Sequence, residues 1–165
     1  MDFMPQLIVL GKTAVAMFFG GLIGLERELG GKQAGLRTHM IIAAASALLM
    51  GLSDLLVHRY QMAAGLNAVN TIDMDPMRIM QGLIMGISVF AGGAIIRDKS
   101  TYTVKGLTSM VSLLLSGGIG IAIGAGQFIL GGGIALLGII VLLVFHRFEK
   151  KIRKDSEMNE ECGEE

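Results

Sequence analysis

The chain has a single cysteine, Cys162, set in a polar stretch near its end, and no tryptophan. One such thiol allows neither an intrachain disulfide nor a thiolate metal cluster. No His-Glu-x-x-His helix motif is present, no Ser/His/Asp set has believable geometry, and no carboxylates are paired in a way that suggests a cleft. Hydrolase chemistry is therefore not expected, nor any enzyme activity or bound cofactor. The N-terminus carries Asp2 and lacks a basic region, and no small-residue cleavage site follows the first apolar run, so no cleaved signal peptide is expected. Basic residues gather at the ends of apolar runs rather than on one face, which removes the case for nucleic acid.

What the chain has in quantity is apolar surface and glycine: 52% hydrophobic residues, 24 glycines in 165 residues and a mean hydropathy of +0.62. That composition suits a membrane protein, in which small residues let helices approach closely. Five apolar runs stand out, at 7–25, 38–57, 79–96, 104–123 and 128–145. At about 1.5 Å per residue each run is long enough to cross a hydrocarbon core of about 30 Å. The predicted fold is all-α, a polytopic membrane domain over 1–146 with five transmembrane helices, followed by a charged tail over 147–165.

Orientation follows from the cations. Eleven of the 14 basic residues fall on one side: Arg27, Lys32 and Arg37; Arg97, Lys99 and Lys105; and Arg147, Lys150, Lys151, Arg153 and Lys154. The positive-inside rule then puts the N-terminus outside and the C-terminus in the cytoplasm. The basic half of the tail is expected to meet anionic membrane lipids, and the acidic half to be disordered.

Small residues at four-residue steps form ridges for helix packing: Ala16, Gly20 and Gly24; Ala43, Ala47 and Gly51; Thr108, Ser112, Ser116, Gly120 and Gly124; and the pair Gly82 and Gly86. They serve contacts within one chain or in a homo-oligomer. Gly124-Ala125-Gly126-Gln127 reads as a tight turn joining antiparallel neighbours. Gly118-Ile119-Gly120 within a span is not a dinucleotide turn, which needs a preceding strand. Asn70, Asp73 and Asp75, in the 58–78 connection, match no closed metal loop, and no metal site is assigned.

The first hairpin concentrates the charge. Glu26 and Glu28 end a helix, where the macrodipole disfavours carboxylates by about 0.3–1 kcal/mol. Arg27, Lys32 and Arg37 are the cations available to offset this. Glu28 continues the Ala16-Gly20-Gly24 ridge toward the next helix, whereas Glu26 points nearly opposite, toward another helix, a partner or a cavity. Lys12, inside the first span, lies within about 4.5 Å in depth of Asp54, so an intramembrane charge pair is feasible. Gln81 is expected to make an interhelical hydrogen bond. His39 is expected to be a solvated interfacial residue.

Gly24-Leu25-Glu26-Arg27, Ala34-Gly35-Leu36-Arg37-Thr38, Arg78-Ile79 with Gln81, and Val104-Lys105-Gly106-Leu107-Thr108, followed by Ile119-Gly120 and Gly124-Ala125-Gly126, together resemble the MgtC/SapB family. The motifs run in family order from about residue 20 to 127. Three departures stand out. Ser88-Val89-Phe90-Ala91-Gly92-Gly93-Ala94 replaces a Gly-Phe-Leu-Gly-Ala-Gly pattern. The Thr-Ala-Ala after Gly106-Leu107-Thr108 and a downstream tryptophan are missing. The cytoplasmic domain of longer members is replaced by the short tail, which makes the chain similar to short members.

The resemblance implies a multi-pass protein of the bacterial inner membrane linked to low Mg2+, acid stress and pathogen survival. It implies a regulator of another membrane protein, with the ATP synthase as proposed partner. Its candidate positions are Glu26, Arg27, Gly35, Leu36, Arg37, Thr38, Gln81, Gly106, Leu107 and Thr108. The alternative is a small Mg2+ or proton transporter using Lys12, Asp54 and the acidic outer loop; one carboxylate within a span is thin support for it.

Overall fold

The structure, a computed structural model, describes the backbone of residues 3–64, 76–93, 96–97 and 104–161, and the side chains of 3–60, 77–93 and 106–144. Five helices make up the described fold: α1 (Phe3–Leu29), α2 (Leu36–Ala64), α3 (Pro76–Gly93), α4 (Leu107–Gly124) and α5 (Phe128–Glu161). Three of them, α1, α2 and α4, are long and apolar enough to cross a membrane, and Met77–Gly93 and Phe128–Val144 are shorter apolar helices. The Asn70, Asp73 and Asp75 loop lies outside the described residues.

Two features depart from the expected plan. Between α3 and α4 the chain forms an antiparallel ribbon of β1 (Ile96–Arg97) and β2 (Val104–Lys105), pairing Ile96 with Lys105 and Arg97 with Val104. The backbone of α5 also continues as helix through the tail to Glu161 rather than ending near the last apolar residue. Its Glu, Lys, Arg and Met residues there have good helix propensity. No glycine or proline interrupts that stretch before the helix ends.

The exterior is apolar, and the interior mixes small residues and polar groups with Ile23, Leu113, Ile119 and Ile123. Met85, Val89 and Ile129 are among many large apolar residues left exposed, as suits helices whose outer faces meet lipid. With lipid outside, close packing rather than apolar burial must hold the helices together. α4 is central, touching α1, α2, α3 and α5, while α1 packs most extensively on α2.

The ridges supply the fit. A Cβ added at Gly20 would lie 2.6 Å from Ala43 Cβ, and one at Gly124 would lie 2.7 Å from the Ala47 carbonyl oxygen. Gly120 sits equally tightly on Ala43 and Ser46. Ala16, Ile23, Ala43, Ala47, Ile119, Ile123 and Ala135 form the buried core between α1, α2, α4 and α5. Gly82 and Gly86 on α3 are different, since added Cβ atoms there would meet nothing within 4 Å.

The turn from α4 to α5 has the expected form. Gly126 adopts φ 83°, and the amides of Ala125, Gly126 and Gln127 bond to the carbonyls of Ile121, Ile123 and Ala122. These bonds satisfy carbonyls at the end of α4. The chain reverses, and Gly131 on α5 returns against Ile123.

Candidate functional site

At the hairpin end, α1 carries its charges inside the helix to Leu29, and residues 30–35 make the reversal, with Gly31 at φ 63°. Glu28 is the hinge of this arrangement. Its Oε2 accepts a hydrogen bond from the Leu36 amide at 2.8 Å. Leu36 is the first residue of α2, so its N–H has no acceptor within its own helix. The carboxylate that opposes the dipole of α1 therefore sits at the favourable end of α2, which supplies the compensation expected of Arg27, Lys32 and Arg37. Gly35 is confined by the same contact, because a Cβ there would fall 2.8 Å from Glu28 Oε2.

Arg27 goes elsewhere. It is buried, and its Nη2 donates to Ser109 Oγ on α4 at 3.0 Å. Ser112, one turn further, donates to the Ser109 carbonyl at 2.8 Å and meets His39 Nε2 at 3.0 Å. His39 Nδ1 lies 2.8 Å from the Gly35 carbonyl. His39 is thus not the solvated interfacial residue expected from sequence: it has 0% exposure and links α2 to α4. A carbonyl can only accept, so Nδ1 carries a proton. The Ser112 hydroxyl has one proton and two claimants, the Ser109 carbonyl and His39 Nε2. With a neutral ring it must turn to Nε2; with a doubly protonated ring it turns to Ser109.

Glu26 faces the other way. One of its oxygens, Oε2, is buried with no hydrogen-bond partner among the described residues. It borders a cavity of about 290 Å³ lined by Leu22, Leu25, Leu29, Gly30 and Leu143. An unsatisfied buried carboxyl oxygen costs about 1–3 kcal/mol. The groove walls remain largely exposed, Leu29 at 82%.

The other motif residues divide in two. Gly106 caps α4 with φ 93°, and Gln33, reaching over from the hairpin, occupies the space a side chain there would need. Thr38 is half-buried near the network, while Arg37, Leu107 and Thr108 are exposed. Gln81 is exposed on α3 and makes no hydrogen bond among the described residues, unlike the interhelical bond expected of it. His39, Ser109 and Gln33 were not among the predicted site residues. In the sequence Ser112 stands out only as a small residue of a packing ridge.

At the opposite end of α1 and α2, Lys12 and Asp54 come to one cavity of about 370 Å³, together with Pro5, Ile8, Val9, Gly51, Leu55, His58 and Arg59. They share the cavity without a salt bridge. The Lys12 ammonium donates instead to the Gly124 carbonyl at 3.0 Å, at the end of α4. Among the described residues no group of three or more His, Cys, Asp or Glu could hold a metal ion.

Comparison with known proteins places the chain in a family. The model of the MgtC family matches residues 13–151. The chain is 35% identical over 128 residues to "Putative magnesium transporter YhiD" of Escherichia coli, covering 77% of this chain and 55% of that protein. It is 34% identical to Protein SapB of Bacillus subtilis, over 73% of this chain and 49% of SapB. It is 33% identical to Protein MgtC of Salmonella typhimurium, over 68% of this chain and 42% of MgtC. The chain thus spans about half the length of these curated relatives. No solved structure matches it.

Proposed function

The chain belongs to the MgtC family, and from that premise we propose that it is a regulatory module of the bacterial inner membrane that docks on another membrane protein. The single observation that carries this reading is Glu26: its Oε2 is buried without a partner among the described residues, and the residue borders an exposed leucine groove at the charged hairpin. A partner helix bringing a basic or hydroxyl side chain to that point would satisfy the oxygen and cover the leucines. With the positive-inside orientation the groove lies near the cytoplasmic face, five helices cross the membrane, and the setting is Mg2+ limitation or acid stress. The family resemblance makes the ATP synthase the partner to test first.

Transport of Mg2+ or protons, the first of which the name of the Escherichia coli relative suggests for that protein, is the second reading. The cavity shared by Lys12 and Asp54 is the observation in its favour. Against it, the buried polar centre is built from Arg27, His39 and serines, whereas a divalent cation needs carboxylate or aligned carbonyl oxygens at depth.

One pair of measurements separates the two. In native membranes, a photo-crosslinker at Leu25 should yield an adduct with an ATP synthase subunit that Glu26→Gln weakens. In proteoliposomes the purified protein should pass neither Mg2+ nor protons. Saturable flux abolished by Asp54→Asn, without an adduct, would replace the regulatory reading by the transport one.

A further inference from the structure

The cavity at the far end of α1 and α2 has a composition of its own. Its walls are apolar, supplied by Ile8, Val9 and Leu55, and Leu52 and Leu56 on the same helix as Leu55 are exposed. Among the described residues its polar groups are unbalanced: Lys12 and Arg59 against Asp54, with His58 also lining it. An ammonium has three N–H donors. That of Lys12 directs one to the Gly124 carbonyl, and among the described residues the other two are left for a ligand. The same bond ties the charge to the C-terminal end of α4.

We propose that this cavity is a binding site for an anionic phospholipid, with the phosphate held between Lys12 and Arg59 and an acyl chain laid along Ile8, Val9 and Leu55. Guanidinium and ammonium groups are the natural phosphate donors, the first as a planar fork and the second as a point charge. A volume of about 370 Å³ takes a headgroup and the start of a chain, while the rest of the lipid lies on the apolar exterior. The apolar walls select an amphiphile over a free anion, and the excess of cations selects an acidic headgroup over a zwitterionic one. Asp54 works against the ligand and limits its affinity. This site is at the opposite end of the α1–α2 pair from Glu26, so its test is independent of the regulatory reading.

The test uses the full chain purified in detergent. Native mass spectrometry reads the occupancy of dioleoyl phosphatidylglycerol, of dioleoyl phosphatidylethanolamine and of inorganic phosphate. Phosphatidylglycerol should bind preferentially and inorganic phosphate should not compete. Lys12→Met and Arg59→Gln should each weaken the phosphatidylglycerol adduct about fivefold, the equivalent of about 1 kcal/mol per basic residue near an anionic surface. Asp54→Asn should strengthen it by a similar factor. Equal binding of the two lipids, an unchanged preference in Arg59→Gln, or weaker binding in Asp54→Asn would overturn the proposal. Competition by inorganic phosphate would make the site one for a free anion instead. If Lys12→Met does not fold, the two exposed positions, Arg59 and Asp54, carry the test unaided.

Discussion

Replacing Gly24 by alanine tests whether the hairpin end depends on close backbone approach. The added Cβ would stand 2.7 Å from Leu36 Cα, 2.9 Å from His39 Cβ and 3.0 Å from the Gly35 carbonyl oxygen. Ordinary contact begins at 3.4 Å, so the start of α2 must recede by about 0.7 Å. Two of the three contacts are to backbone, and no flexible side chain can yield in their place. The retreat would stretch the Glu28–Leu36 bond, now 2.8 Å long, toward the limit of a hydrogen bond. It would pull His39 from Ser112 as well.

Gly11→Ala is the matched control, since it lies in the same helix and its added Cβ meets nothing within 4 Å. Both substitutions gain the same helix propensity, about 1 kcal/mol, so the difference between them isolates the clash, about 1–3 kcal/mol for overpacking. At about 2–4 °C per kcal/mol, Gly24→Ala should melt about 2–12 °C below Gly11→Ala in detergent. Equal melting temperatures would refute the reasoning, because they would mean that α1 and α2 are not in contact at Gly24.

Three further outcomes are expected. Ser109→Ala removes the hydroxyl that Arg27 reaches; in chemical denaturation it should cost about 1.5–3 kcal/mol, the range for a hydrogen bond to a charged group, and a negligible loss would show the bond to be idle. Glu28→Ala removes the acceptor for the Leu36 amide and should cost about 0.5–2 kcal/mol as a lost helix cap. Glu28→Gln should recover part of that, and identical losses in both would point to charge and not to the bond. In the neutral state the His39 ring should carry its proton on Nδ1, which nitrogen-15 chemical shifts of labelled histidine can read directly, and Ser112→Ala should leave Nε2 without its hydroxyl. A proton found on Nε2 alone would contradict the assigned bond to Gly35.

The helices were legible because apolar runs bounded by charge and glycine have one reading at this length. The ridges were legible too: steps of four among Gly20, Gly24, Gly120 and Gly124 mark where backbones meet, and they meet there. Glu28 could be placed by helical geometry from that ridge. The partner of Arg27 could not, because Ser109 is 82 residues away and nothing in a single sequence says that α4 docks on both α1 and α2. His39 was misread for the same reason. A histidine one residue inside a predicted span has its environment set by whatever helix arrives later, here through Ser112, which local pattern marks only as small. The β1–β2 ribbon is two residues a side, too short for alternation to announce it.

The distance in sequence between these partners is also a distance in time. Glu28 and Leu36 are 8 residues apart, so the first hairpin can close almost as soon as it leaves the ribosome. Ser109 and Ser112 follow Arg27 and His39 by 82 and 73 residues. At about 5–20 residues per second, that separation is roughly 4 to 16 s of synthesis. Through that interval the Arg27 guanidinium and the His39 ring exist without the hydroxyls they bond to in the finished fold.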